Sequence, residues 1–292
     1  WVGWSAADGA PLRVDLGADF MPWQRAFDDR DAPHFKWFSG ARTNACFNEV
    51  DRHVLAGFGH ECAYIFEGDR WDMSRDNGRG LPVDQHFISR NELLVETVKC
   101  ALALRALGLR AGDRIALNLP NIPAQLFWTE GAKRLGIVYT PVFGGFSDKT
   151  LSDRIHDAGA RIVITADGGN RRGAHLALKP LVDEALASHG EGTAHSGPCE
   201  SVKHVLTVKR TGQDTAWVEG RDVWWHDVVD TASTEHEAEL HDSEHPLYVM
   251  YTSGTTGTPK GILHTTGGYL TQCAYTSAVV HDVHADSDVF WC

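Results

Sequence analysis

The sequence predicts an α/β protein built on a mainly parallel sheet covered by helices on both faces. Two observations carry the prediction. From about Gln85 onward, apolar runs of strand length alternate steadily with longer runs of helical spacing. The connections between them are short and punctuated by Gly and Pro, as in repeated strand–helix–strand units.

Residues 1–85 are rich in Trp, Phe, Asp and Gly, lack sustained periodicity, and read as a loop-rich N-terminal region that packs on residues 86–292. Short helices are expected there around Phe20–Phe27 and from Asn44 towards Arg52. Ser89 caps a helix over Asn91–Leu107, whose Leu93, Leu94, Val98, Ala101, Leu102 and Leu107 recur mostly at helical spacing. Gly108 and Gly112 end it, and Arg114–Leu119 follows as a short buried strand. Pro123 opens a second helix that runs to Leu135 and stops at Gly136. Ile137–Val142 is the next strand, with Gly144 and Gly145 in the turn after it. Asp148–Ala158 reads as helix, Arg161–Thr165 as strand, Leu176–Ala187 as helix and Val205–Val208 as strand. Ser188–Glu200 and Thr231–His245 read as polar surface loops, and Leu247–Thr252 as an apolar strand.

The 42% apolar and 23% charged content is that of an ordinary globular protein. No run of eighteen apolar residues and no signal-peptide pattern occurs, so no membrane partner is expected. The six cysteines fall in no CxxC pair and suit free thiols in a reducing, cytoplasmic setting. A net charge of −12 argues against nucleic acid as a partner. The chain opens on Trp1 and closes on Asp288–Cys292, which reads as a strand, so a segment of a longer polypeptide is expected.

The run Tyr251-Thr-Ser-Gly-Thr-Thr-Gly-Thr-Pro-Lys260 carries the most chemistry. Gly254 and Gly257 let backbone N–H groups converge on oxygens, and Thr252, Ser253, Thr255, Thr256 and Thr258 supply hydroxyl donors. Lys260 adds a mobile positive charge, so the run suits a polyphosphate; a polar surface turn is the plainer alternative. It is not a Walker A loop, because two residues separate Gly254 from Gly257 and Gly261 follows Lys260. That spacing speaks against a Walker-type phosphotransferase. Asp167-Gly-Gly-Asn-Arg-Arg-Gly173 follows a strand and could hold a second phosphate, or be a solvated turn with surface arginines. His241 and His245, and His60 with Cys62, lack further ligands at metal spacing and read as surface histidines. Trp224 and Trp225 read as core packing.

The Tyr251–Gly261 run is similar to the signature loop of the adenylate-forming superfamily, which includes acyl-CoA synthetases, luciferases and peptide-synthetase adenylation domains. Asn48–His53, Val142–Ser147, Ile164–Gly169, Arg221–His226 and Ile262–Tyr269 narrow the resemblance to the acetyl- and propionyl-CoA synthetase branch, with matches from Pro22 to Cys292. The resemblance implies a carboxylate activated by Mg-ATP to an acyl-adenylate, then transferred to CoA with release of AMP. It further implies stacked, mainly parallel sheets, with this chain as the first part of the synthetase domain, truncated at its C-terminus.

The residues that grip adenine, ribose and Mg²⁺, the catalytic groups and the mobile C-terminal domain are expected beyond Cys292, so the isolated segment is expected to be inactive. By the same resemblance, Thr252, Ser253, Gly254, Thr255, Thr256, Gly257, Thr258 and Lys260 hold the β- and γ-phosphates. Arg171, Arg172, Gly173 and Ala174 correspond to a contact for the 3′-phosphate end of CoA, and Phe143, Gly144 and Gly145 to its adenine end. The branch has basic residues three apart here; Arg171 keeps the first, whereas the second falls on Ala174. The Trp71–Gln85 stretch and the opening Trp1–Trp4 resemble the synthetase domain of multifunctional propionyl-CoA synthase. On that reading 3-hydroxypropionate joins acetate and propionate as a substrate, and the full-length chain carries further fused catalytic domains. A catalytically inactive nucleotide- or CoA-binding module, or a truncated paralogue, is the alternative.

Overall fold

In the computed structural model, which describes residues 4–6, 22–171, 173–187, 198–252 and 259–284, short strands come first, interrupted by a helical segment over 45–58 that includes the helix expected from Asn44 towards Arg52, and the strand–helix alternation follows. The N-terminal stretch supplies β1 (Trp4–Ala6), β2 (Arg25–Asp28), β3 (Lys36–Ser39), β4 (Ala41–Thr43), β5 (Cys62–Glu67), β6 (Trp71–Asp72), β7 (Leu81–Pro82) and β8 (Gln85–Ser89), paired antiparallel. Then come α1 (Arg90–Ala106), β9 (Arg114–Asn118), α2 (Pro123–Arg134), β10 (Val138–Pro141), α3 (Asp148–Ala158) and β11 (Ile162–Ala166). They are followed by β12 (Gly168–Arg171), β13 (Ala174–Ala177), α4 (Leu178–Leu186), β14 (His204–Val208), β15 (Asp222–Trp224) and α5 (Trp225–Val229). The last described elements are β16 (His241–Asp242), β17 (Pro246–Thr252), β18 (Lys260–Thr265) and α6 (Thr266–Tyr275).

Seven strands form one sheet in the order β15-β14-β11-β9-β10-β17-β18, parallel throughout except for the antiparallel pair β17–β18 at one edge. Because strand side chains alternate between faces, the central strands feed two cores. Ile115 and Leu117 of β9, Ile162 and Ile164 of β11, and Leu206 of β14 pack with α1 and α2 on one face. Ala116, Val163 and Val205, each one residue out of phase, pack with α3 and α4 on the other. The helices start where the sequence places caps. The Ser89 hydroxyl accepts from Glu92 N at 3.1 Å, Ser147 accepts from Thr150 N at 3.3 Å, and Pro123 occupies the first turn of α2.

A glycine inside a helix costs about 1 kcal/mol relative to alanine, so Gly131 in α2 needs a reason. A Cβ there would lie 2.9 Å from Ala101 N and 3.0 Å from Cys100 Cβ, so the bare backbone lets α2 cross close over α1. Gly131→Ala is expected to destabilise the protein by about 2 kcal/mol in urea denaturation despite the better helix propensity. An unchanged or raised midpoint would show that the two helices can separate without loss.

Buried polar contacts fasten the N-terminal stretch and the sheet edges. Asn44 Nδ2 donates to the carbonyls of Lys133 at 3.1 Å, Arg134 at 3.0 Å and Glu239 at 2.7 Å. Arg134 Nη1 meets Asp51 Oδ2 at 2.7 Å, and Lys133 Nζ meets Glu130 Oε1 at 2.8 Å and also Glu49. At the other edge, Lys179 Nζ bridges Asp183 and Asp222, each at 2.8 Å, and Arg221 Nε closes on Asp222 at 2.6 Å. Trp225 packs into the core near Trp128, whereas Trp224 stacks on Trp217 at the sheet edge with ring centroids 4.6 Å apart.

Three expectations need correction. The helix placed over Phe20–Phe27 is not formed at Arg25–Phe27, which belong to β2: Phe27 stacks across the hairpin on Phe35 and tilts against Trp37, and cross-strand aromatic contact outweighs local propensity. The helix expected from Leu176 starts at Leu178, because Leu176 and Ala177 pair with Gly169 and Gly168. Within the loop expected over Thr231–His245, His241 and Asp242 pair with Thr43 and Arg42. The strand expected at Asp288–Cys292 lies outside the described residues.

Candidate functional site

Strands β9, β10, β11, β14 and β17 run parallel, so their carboxyl ends share one edge of the sheet. The connection after β9 leads to α2 on one face, and the connection after the neighbouring β10 leads to α3 on the other. Adjacent strands whose connections leave for opposite faces open a crevice at their carboxyl ends. A cleft of about 160 Å³ occupies that place, with Phe66, Pro120, Phe143, Gly145, Arg171 and Arg210 in its wall.

Arg171 is the last residue of β12, and its guanidinium lies over the Phe143 ring, 4.7 Å from the centroid. Gly145 allows this. A Cβ there would sit 2.3 Å from Arg171 Nη1 and 2.7 Å from Phe143 Cε1. Gly144 lines the same cleft, so four of the residues matched to CoA contacts (Arg171, Phe143, Gly144 and Gly145) converge on one cavity. Gly173, at φ +76°, turns the β12–β13 hairpin, and Ala174 pairs directly across from Arg171; neither is in the cleft wall. Arg172 lies outside the described residues.

Arg210 enters the cleft from the end of β14 and was not singled out from the sequence. Its Nη1 donates to Asp84 Oδ2 at 2.6 Å, and its guanidinium lies 5.4 Å from the Phe66 ring centroid. The buried Asp167 carboxylate accepts from the backbone N–H groups of Gly168 (2.7 Å), Arg210 (2.8 Å), Thr211 (2.9 Å) and Gly212 (2.6 Å). Burial alone would raise the Asp167 pKa, but these donors outweigh it and hold the carboxyl below its ordinary value. Its stabilising contribution is therefore present above the ordinary carboxylate pKa and is lost as pH falls through the lowered one. Asp167→Ala is expected to cost about 2 kcal/mol, read as a lower melting temperature at pH 7. A melting temperature matching the wild type would mean that water replaces the carboxylate at no cost.

The phosphate-loop motif spans the β17–β18 connection. Thr252 ends β17, Lys260 begins β18, and the two are paired; both are exposed. Ser253, Gly254, Thr255, Thr256, Gly257 and Thr258 lie outside the described residues. Behind the connection, Tyr251 donates its hydroxyl to Asp157 Oδ2 at 2.5 Å, and Thr140 Oγ1 donates to Val249 O at 3.0 Å. Arg154 lies over both Phe146 and Tyr251, at 4.3 and 5.6 Å from the ring centroids. His264 stacks flat on Tyr248 at 4.3 Å, a packing role.

His241 and His245, expected as surface histidines, are half-buried and stacked on each other at 4.6 Å. Burial, then the neighbouring His245, depresses the His241 pKa to about 4, and His245 Nε2 contacts the Gly136 carbonyl at 2.8 Å. No group of three or more His, Cys, Asp or Glu able to hold a metal ion occurs among the described residues.

Comparison with known proteins identifies the family. The profile of the AMP-binding enzyme family matches residues 72–292. The chain belongs to that family. Residues 19–48 match the profile described as the acetyl-coenzyme A synthetase N-terminus. The chain is 50% identical over 272 residues to an acetyl-coenzyme A synthetase of Mycobacterium tuberculosis, covering 93% of this chain and 39% of the relative. It is 49% identical over 265 residues to that of Streptomyces coelicolor (91% and 37%), and 44% identical over 271 residues to that of Deinococcus radiodurans (92% and 38%). The chain thus spans about two-fifths of the length of these relatives. Family membership also accounts for the α/β architecture with its mainly parallel sheet.

Proposed function

We propose that the protein acts as an AMP-forming short-chain acyl-CoA synthetase. A carboxylate oxygen attacks the α-phosphorus of ATP, giving acyl-adenylate and pyrophosphate. The CoA thiolate then attacks the acyl carbon, the mixed anhydride breaks, and AMP leaves with the thioester formed. Acetate, propionate and 3-hydroxypropionate are the proposed acids.

The observation that carries this reading is the shared edge. The carboxyl end of β17, where the phosphate-loop motif begins, and the Arg171 cleft lie at one edge of the same parallel sheet, in a chain whose family relatives are acetyl-coenzyme A synthetases. In this reading Ser253–Thr258, with Thr252 and Lys260, grip the ATP phosphates, and Mg²⁺ arrives as part of the Mg-ATP substrate. Arg171 and Arg172 meet the phosphate end of CoA at the β12–β13 hairpin, while Phe143, Gly144 and Gly145 take its adenine. The polyanions have to be drawn against a net charge of −12, which local cations at this edge offset. Residues 1–85 are proposed as a region that packs on the synthetase part. A cytoplasmic location fits the free thiols of Cys46, Cys62, Cys100, Cys199 and Cys273.

The test is carboxylate-dependent exchange of pyrophosphate into ATP, together with thioester formation, on the complete natural polypeptide with acetate, propionate, 3-hydroxypropionate and acrylate. Exchange that requires one of these acids supports the reading. ATP turnover indifferent to carboxylate and to CoA would sink it.

A further inference from the structure

We propose that Arg210 joins Arg171 as a phosphate-binding cation of the cleft wall, engaging a terminal phosphomonoester by exchanging its bond to Asp84 for bonds to the ligand. The inference rests on the CoA reading of the same cleft. A phosphomonoester carries close to two negative charges at pH 7, and Ala174 leaves Arg171 without a basic neighbour across the hairpin.

Arg210 adds positive charge from the connection after another strand. It shares the cleft wall with Arg171. One carboxylate ties the two together, because Asp167 holds both the Gly168 N–H at the root of β12 and the Arg210 N–H at the end of β14. The backbone at Arg210 and at the start of the strand that ends on Arg171 is therefore held by the same buried group.

The side chain is held but not saturated. Asp84 engages Nη1, the Phe66 ring supports the guanidinium, and the remaining donors of the fork have no protein acceptor among the described residues. The Arg210–Asp84 pair is partly solvated, with side chains 28% and 38% exposed, and exposed pairs of this kind are weak and readily exchanged. A phosphate, by contrast, matches the planar fork of a guanidinium with two parallel charge-assisted bonds. Gly68 keeps that side of the cleft open, since a Cβ there would approach Asp84 Cβ at 3.0 Å and Arg210 Nη2 at 3.4 Å.

Calorimetric titration of the complete natural polypeptide with CoA and with dephospho-CoA tests the assignment. The wild type is expected to prefer CoA. Arg210→Ala should weaken CoA binding about tenfold and leave dephospho-CoA binding unchanged, while Asp84→Asn should tighten CoA binding about threefold. A thermal melt of each variant matching the wild type shows that the fold is intact. If Arg171→Ala abolishes the preference while Arg210→Ala preserves it, or if Arg210→Ala weakens both ligands equally, Arg210 is not a phosphate ligand and the CoA reading stands without it. If the wild type binds both ligands equally, or neither, the CoA reading of the cleft fails and takes this inference with it.

Discussion

Lys260→Ala is expected to lower carboxylate-dependent pyrophosphate exchange of the complete natural polypeptide by about 100-fold, or about 2.7 kcal/mol in transition-state stabilisation. The magnitude follows from removing the one cation in the Thr252–Lys260 run. The chain as a whole repels polyphosphates, with a net charge of −12. Lys260 is exposed at the foot of the β17–β18 connection and has no ion-pair partner among the described residues, so its charge is available to a ligand. The loss should fall on kcat/KM for ATP and spare the KM for the carboxylate. Lys260→Arg keeps the charge but replaces a compact ammonium with a planar fork, and an intermediate rate is expected. A Lys260→Ala rate within about threefold of the wild type would remove this residue from the phosphate grip.

Lys133→Met is expected to destabilise the fold by about 4 kcal/mol in urea denaturation at pH 7. The side chains of Lys133, Glu130 and Glu49 are 3%, 9% and 27% exposed, so removing the ammonium leaves the charge of the Glu130–Glu49 pair largely out of water without its cation. Even with Lys133 in place the pair cannot shed both protons easily. Burial, then the negative charge of Glu49, raises the Glu130 pKa to about 8, and Glu130 Oε2 has no donor from any other group, as suits a proton shared with Glu49. Glu49 is shifted the other way, below its ordinary value, by Lys133 and by its bonds to Glu130 and Tyr269 acting against burial.

A folded pKa above the unfolded 4.5 means that Glu130 contributes stability in full below pH 4.5, and that this is lost as pH rises through about 8. Between pH 7 and 8 the wild type should lose about 1 kcal/mol from this source. His53, His236 and His241, all depressed to about 4, stay neutral in that window and do not mask the loss. Glu130→Gln should flatten the dependence. Coincident pH profiles for the wild type and Glu130→Gln would exclude the shared proton.

How much of this was legible beforehand depended on whether the cause was local. The elements α1, β9, α2, β10, α3 and β11 fall within a residue or so of their expected limits, because capping serines, Pro123 and apolar runs are signals read at a single point in the chain. The β12–β13 hairpin and β18 escaped notice because Gly168–Arg171 and Lys260–Thr265 have no strand-like composition; their neighbours across the ladder make them strands. Arg171, Phe143, Gly144 and Gly145 were singled out from their motifs, and the fold places them in one cleft wall. Arg210 and Asp84 were invisible for a different reason. They stand 126 positions apart, and no spacing rule in a single sequence joins a loop near the start of the chain to the end of a strand far along it. The Glu49–Lys133 contact, across 84 positions, was hidden in the same way.

The bridge at Lys179 has a bearing on ionic strength. At 1 M salt the screening length shrinks to about 3 Å, and exposed pairs such as Lys36–Asp31 on the N-terminal hairpin contribute little. Lys179 and Asp222 have fully buried side chains, so dissolved ions cannot come between them. The outermost strand, β15, is thus fastened by a contact that brine does not loosen, while the same brine quiets the mutual repulsion of an acidic chain. In this molecule saltiness separates depth from surface: the edge of the sheet should stay closed under conditions that screen the exposed ion pairs.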